Sequence, residues 1–194
     1  MIDTKAKLRF FLKMDRIALG NDKRHIKILG DEIWKYQIIL RKYEYLKNKR
    51  KNPLDYIRLM IIKLRYHKLS IKLGINIPPN VFGPGLSIAH YGTIVVNSNS
   101  RVGKNCRIQE GVNIGATNGK ASAPQIGNNV FIGSGAKIIG KVTIADDVAI
   151  GAGCVVVKSI TEKGITVAGV PAKKVSDHNS HSNLSRDLMR QELL

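Results

Sequence analysis

The 194-residue chain carries 32 Lys and Arg against 14 Asp and Glu, a formal net charge of +18, with 43% hydrophobic and only 6% aromatic residues. Ordinary apolar content at this length supports one domain or two small ones and excludes wholesale disorder. Two cysteines, Cys106 and Cys154, exclude a disulfide scaffold and fit a reducing compartment. No apolar run approaches the ~18 residues needed to span a bilayer, and lysines break up the N-terminal MIDTKAKLRFFLKM too often for a signal peptide. The expectation is a cytoplasmic protein, with peripheral contact at the inner face of a membrane the most that the basic charge suggests.

The charge divides the chain. Residues 1–74 hold 20 Lys and Arg and 7 Asp and Glu, whereas residues 75–194 hold 12 and 7. Such a basic region raises nucleic acid as a partner. No zinc-finger spacing, RRM-like aromatic motif or helix-turn-helix accompanies it, and aromatics for base stacking are scarce, so nucleic acid is not expected.

Residues 1–73 read as a basic α-helical region. The segment from Asp31 to Lys49 is helical, with an acidic first turn. A second helix starts with Asn52 as N-cap and Pro53 at the first helical position, places Leu54, Ile57, Ile61 and Leu64 at helical spacing, and stops at Gly74. Its apolar stripe lies beside Arg58, Lys63, Arg65, Lys68 and Lys72, which suits either an anionic membrane surface or an assembly helix with a solvated basic face.

From Val96 an aliphatic residue recurs every sixth position: Val96, Val102, Ile108, Ile114, Ile126, Ile132, Ile138, Ile144, Ile150 and Val156, with Lys120 the one miss. Small or apolar residues follow four places later, Cys106, Ala136 and Cys154 among them. On an α-helix this period scatters the ladder to three directions, and a single straight strand of such length does not occur in globular proteins. The chain must therefore turn every six residues, so that stacked triangular coils align the aliphatic residues inside a parallel β-helix over residues 74–175. Around Lys120, GATNGKASAPQ holds no ladder residue, so a corner of the prism is replaced by a loop at 117–125. Residues 176–194 read as a polar C-terminal tail, mobile and weakly helical.

Of the five histidines only His90 lies within the repeat region. It stands six places before Val96, where an aliphatic residue is expected, so either the first coil is distorted or the ring looks outward into a cleft. An imidazole there suits general-base catalysis near neutral pH. Glu110, about one coil above, is the next candidate for that role, or a solvated edge residue. Both cysteines fall on interior positions, which favours direct group transfer over a covalent enzyme intermediate.

The pieces GPGLSIAHYGTIVV (83–96), VGKNCRIQEGVNIGATNGK (102–120) and AGVPAK (168–173) resemble those of the hexapeptide-repeat acyltransferases, in particular serine acetyltransferases and the related O-acetyltransferases of polysaccharide biosynthesis. The resemblance implies a left-handed β-helix and acetyl-CoA as donor without a metal. It also implies a homotrimer, or two trimers joined through the N-terminal helices, with active sites in clefts between subunits. It places the donor against Ala116, Thr117, Ser134 and Ala152, with Lys173 and Lys120 suited to contacts with CoA. In serine acetyltransferases an acidic residue in the preceding coil supports the histidine, an aspartate directly before it helps bind serine, and a second histidine ends the loop. The matching positions here are Ile75, Ala89 and Ala123. An amino acid's ammonium and carboxylate need paired charges, whereas a sugar hydroxyl asks for a base, neutral partners such as Asn76, Gln109 or Asn113, and an aromatic surface such as Tyr91. The expectation is therefore O-acetylation of a saccharide or lipid-linked glycan in surface-polysaccharide synthesis. Serine O-acetylation for cysteine biosynthesis is the alternative, followed by N-acetyl transfer to an amino sugar and by a non-catalytic β-helix.

Overall fold

The structure is a computed structural model, and it describes residues 1–20, 26–27, 30–50, 52–117 and 123–191, with side chains described only to residue 188. Three helices come first: α1 (Lys5–Ala18), α2 (Glu32–Asn48) and α3 (Pro53–Leu73). The start of α3 is set by a capping box, in which Asn52 Oδ1 accepts from the Asp55 amide and Asp55 accepts from the Asn52 amide. Gly74, at φ 70°, ends it.

The rest of the chain winds into a three-sided prism. The first face is β1 (Ile75–Asn76), β3 (Ile94–Val96), β6 (Asn113–Gly115), β9 (Lys137–Ile139) and β12 (Val155–Val156). The second is β4 (Arg101–Val102), β7 (Gln125–Ile126) and β10 (Thr143–Ile144). The third is β2 (Ser87–Ile88), β5 (Arg107–Ile108), β8 (Phe131–Ile132), β11 (Ala149–Ile150), β13 (Thr166–Ala168) and β14 (Lys173–Ser176). Every pair is parallel except the last, where β14 folds back antiparallel on β13.

Every ladder residue named from the period is buried, in registers such as Val96 to Ile114 to Ile138 to Val156 and Ile88 to Ile108 to Ile132 to Ile150. Each such side chain contributes roughly 1.5–3 kcal/mol relative to exposure. Inside the prism Cys106 and Cys154 are 1% and 0% exposed, and burial pushes both thiols up, away from the thiolate. The loop around Lys120 costs no strand: Ile114 lies on the first face, Ile126 on the second, and Val102 pairs with Ile126. Lys120 itself, with His25, lies outside the described residues.

A column of left-handed residues, Asn105 (φ 58°), Asn129 (φ 55°) and Asp147 (φ 62°), turns the corner between the second and third faces. Their side chains bond in series, Asn105 Nδ2 to Asn129 Oδ1 and Asn129 Nδ2 to Asp147 Oδ1, each at 2.9 Å. His181 and Lys163 meet Asp147 at the end of the series.

The helices close the open end. As the terminal strand of its sheet, β2 would leave backbone groups without partners. Gln37 of α2 donates to the Leu86 carbonyl at 2.6 Å and accepts from the Ile88 amide, and Asp15 of α1 accepts from the amides of Gly85 and Leu86, each at 2.9 Å. The wholly buried Arg41 donates to Asp15, Glu44 and the carbonyls of Phe82 and Gly83.

The C-terminal segment was expected to be mobile, and it is packed instead. Ser180, Leu184 and Leu188 are buried, and α4 (Arg186–Gln191) lies against α1. The apolar stripe of α3 has the opposite outcome: Leu54, Ile57, Ile61 and Leu64 are 45–60% exposed, while Ile62, Tyr66, Leu69 and Leu73 face the protein. No helix among the described residues is long and apolar enough to cross a membrane.

Candidate active site

Between β2 and β3 the corner is two residues longer than the six-residue period demands, because Ile88 rather than residue 90 takes the ladder position opposite Ile108. The extra length pushes His90 and Tyr91 out of the wall, and both side chains are exposed. Of the two alternatives raised by the period, the imidazole looks outward. Gly92 returns the chain to β3 with φ 140°, a conformation open mainly to glycine.

The same corner repeats in the coils above. The Gly135 amide donates to the Glu110 carbonyl and the Gly153 amide to the Ser134 carbonyl, each at 2.8 Å, so that Glu110, Ser134 and Ala152 stack in one column next to His90. Gln109 lies beside this column, and its amide oxygen accepts from both the Ser134 hydroxyl (2.7 Å) and the Ser134 amide (3.1 Å). The Ser134 hydroxyl, the residue's own backbone amide and, when charged, the His90 ring hold the Glu110 carboxyl below the ordinary glutamate value despite its partial burial.

The remaining sequence-derived candidates divide by place. Asn76 and Asn113 lie on the outward row of the first face, each flanking Val95. Ala116 and Thr117 sit at the far edge of that face, where the loop departs. Lys173 is exposed at the start of β14, at the end of the prism away from the helices. A single chain therefore does not bring Ala116 and Thr117 together with Ser134 and Ala152, since the width of the first face separates them.

A cleft of about 630 Å³ opens beside the histidine corner, walled by Ala89 and Tyr91 on one side and by Asp31, Glu32 and Trp34 on the other. Sequence reasoning missed these α2 residues, as it missed Gln37, Arg41 and Asp15, which fix the strand leading to His90. Between 41 and 71 residues separate such partners in the chain, so no local pattern announces them.

A prism of stacked hexapeptide coils bearing one outward histidine at a corner is the β-helix that the six-residue period called for. Residues 123–158 match the family described as bacterial transferase hexapeptide (six repeats), and the prism is a left-handed β-helix. Over that segment the chain matches the family model, and the curated proteins it is similar to are serine acetyltransferases. It is 37% identical over 123 residues to the serine acetyltransferase of Synechococcus elongatus, covering 61% of this chain and 50% of that protein. The chain thus spans about half the length of that curated relative. Among solved structures, the Neisseria gonorrhoeae serine acetyltransferase in complex with serine superposes with a TM-score of 0.69 at 27% identity, covering 89% of this chain and 70% of the other. The Brucella abortus serine acetyltransferase in complex with coenzyme A gives 0.67 at 26% identity, covering 89% and 67%.

These comparisons overturn the expected saccharide or lipid-linked glycan acceptor, because the similar proteins are serine acetyltransferases and none of those named is described with a glycan. The expectation rested on three charged groups missing at Ile75, Ala89 and Ala123. A charge absent from one strand is replaceable from another element, and Asp31 and Glu32 of the helical region line the cleft against Ala89.

Proposed function

We propose that the chain is an acetyl-CoA-dependent serine O-acetyltransferase with His90 as general base. The observation that carries this reading is an outward, solvent-accessible histidine on the corner of a prism whose similar proteins are serine acetyltransferases, one solved with serine and one with coenzyme A. His90 takes the proton of the serine hydroxyl as the oxygen attacks the thioester carbonyl, and gives it to the departing thiolate as the carbon–sulfur bond breaks. Transfer is direct, since neither buried thiol can reach a substrate. The donor fits the corner column because nothing in it beyond Glu110 is larger than serine: Ser134, Gly135, Ala152 and Gly153 leave a shallow track, and a Cβ added at Gly153 would meet nothing within 4 Å. Lys173 lies in reach of the same end of the prism and suits phosphate groups.

The active unit in this reading is a homotrimer, in which the Ala116–Thr117 edge of one subunit meets the His90 corner of its neighbour and closes a cleft over the first face. Pairing of trimers through the helical region uses the exposed stripe of α3. The experiment is thiol release from acetyl-CoA with L-serine as acceptor, followed by mass spectrometry of the product. O-acetylserine is expected, and no turnover of serine by the assembled protein overturns the proposal.

A further inference from the structure

Glu110 carries a buried oxygen with nothing to bind. Its Oε2 atom has no solvent exposure and no hydrogen-bond partner. A carboxylate in that state costs free energy unless a cation neutralises it, so it is a demand for positive charge at a fixed place. The register says which place. The Ala89 amide donates to the Ile108 carbonyl at 3.0 Å, and Ile88 pairs with Ile108, so the residue opposite Glu110 in the neighbouring coil is His90. Gly92 then passes close above: a Cβ built there would stand 3.1 Å from the Glu110 Cβ. The local chain is thus shaped to let the carboxylate lie against the histidine turn.

Other charges around this corner have other partners. Lys137, from the next coil, donates to the Gly111 carbonyl at 2.5 Å. Glu32, across the cleft, faces Lys35 and Lys72, and Asp31 accepts from the Lys27 amide. Tyr91 projects into solvent. Ile75, where an acid of the preceding coil would stand, is an apolar core residue 1% exposed.

We infer that Glu110 is a positioning residue that holds the His90 imidazole and stabilises its protonated form during acetyl transfer, supplying from the following coil the carboxylate that the preceding coil lacks. The role rests on the serine acetyltransferase reading for its chemistry, but the pairing itself does not. His90 remains the base: it accepts the hydroxyl proton, and the resulting imidazolium donates toward Oε2 while the other ring nitrogen returns the proton to the leaving sulfur. Glu110 keeps its charge throughout.

Two measurements test this separately. The first needs no turnover: modification of His90 by diethylpyrocarbonate at one fixed pH near neutrality, followed by peptide mass spectrometry. In Glu110→Gln the labelling rate should rise several-fold, because the ring loses the carboxylate that holds it. Glu162→Gln, an exposed acid paired with Lys174, serves as the control and should leave the rate unchanged. An unchanged rate in Glu110→Gln overturns the pairing. The second is steady-state kinetics: Glu110→Gln should lower kcat by about 10–100-fold with KM for both substrates within a few-fold, and Glu110→Asp should recover part of the loss. Normal kcat in Glu110→Gln overturns the catalytic role. A wild-type protein that fails to acetylate serine while the labelling change is present would refute the proposed reaction and leave the pairing standing.

Discussion

Arg41 of α2 and Asp15 of α1 form a fully buried bidentate pair, Nε to Oδ2 at 2.7 Å and Nη2 to Oδ1 at 3.2 Å, and both residues reach past each other to the backbone of the first coil. Asp15 is 2% exposed and Arg41 0%. The pair therefore fastens two helices to the end of the β-helix and settles backbone groups that no neighbouring strand can meet.

Removing one member leaves the other charged and buried. Arg41→Met should destabilise by about 3–5 kcal/mol, because Asp15, Glu44 and the carbonyls of Phe82 and Gly83 all lose their donor. For a chain of this size the thermal midpoint should drop by roughly 10 °C, measured by calorimetry or circular dichroism.

The general base is tested by His90→Ala. The ring is exposed and supports nothing in the core, so the fold should be retained while kcat for serine acetylation falls by about 10²–10⁴. Coenzyme A binding, followed by calorimetric titration, should stay within a few-fold of the unsubstituted protein. Activity near that of the unsubstituted protein would place the base on another residue.

The corner glycine makes a sharper geometric test. Gly92→Ala places a methyl 3.1 Å from the Glu110 Cβ on a backbone at φ 140°, which L side chains rarely adopt. Stability should fall by about 1–3 kcal/mol, with a drop in kcat, as the His90 turn shifts against Glu110. A variant that keeps full activity would mean that this turn tolerates movement.

Assembly should read out as a sedimentation mass three times the 21.4 kDa chain, or a multiple of that trimer. Replacing Ile61 and Leu64 together by Glu puts charge on the exposed stripe of α3, with little cost to the folded chain since both are 45–55% exposed. Any association of trimers should then be lost while the trimer and its activity persist.

At the far corner, Asp147 sets an acid limit. Although desolvation pushes its carboxyl up, the bonds from His181, Asn129 and Lys163 outweigh it and hold the value below the ordinary aspartate range. A depressed folded value means stabilisation present above the unfolded value of about 3.9 and lost as pH falls through the folded one. Asp147→Asn should thus lower the urea midpoint at pH 7, with the difference from the unsubstituted protein shrinking below about pH 4.

The sequence by itself determined the prism. A six-residue aliphatic period has one physical solution, and every residue from Val96 to Val156 that it named as ladder is inside. The helix boundaries at Asn52 and Gly74 were equally legible, because capping is written within three or four residues. His90 was visible as a break in the period, but which way it broke was not: only the pairing of Ile88 with Ile108 shows that the corner gained length and turned the ring outward. The acceptor was misread because missing charges at Ile75, Ala89 and Ala123 were counted along the repeat alone. Tertiary structure decided what lies across from those positions, bringing Asp31 and Glu32 to the cleft and Gln37 and Asp15 to the free edge of β2. Periodic burial is a local property of a chain and can be read from spacing; the meeting of side chains from different coils and helices depends on register and docking, which spacing does not encode.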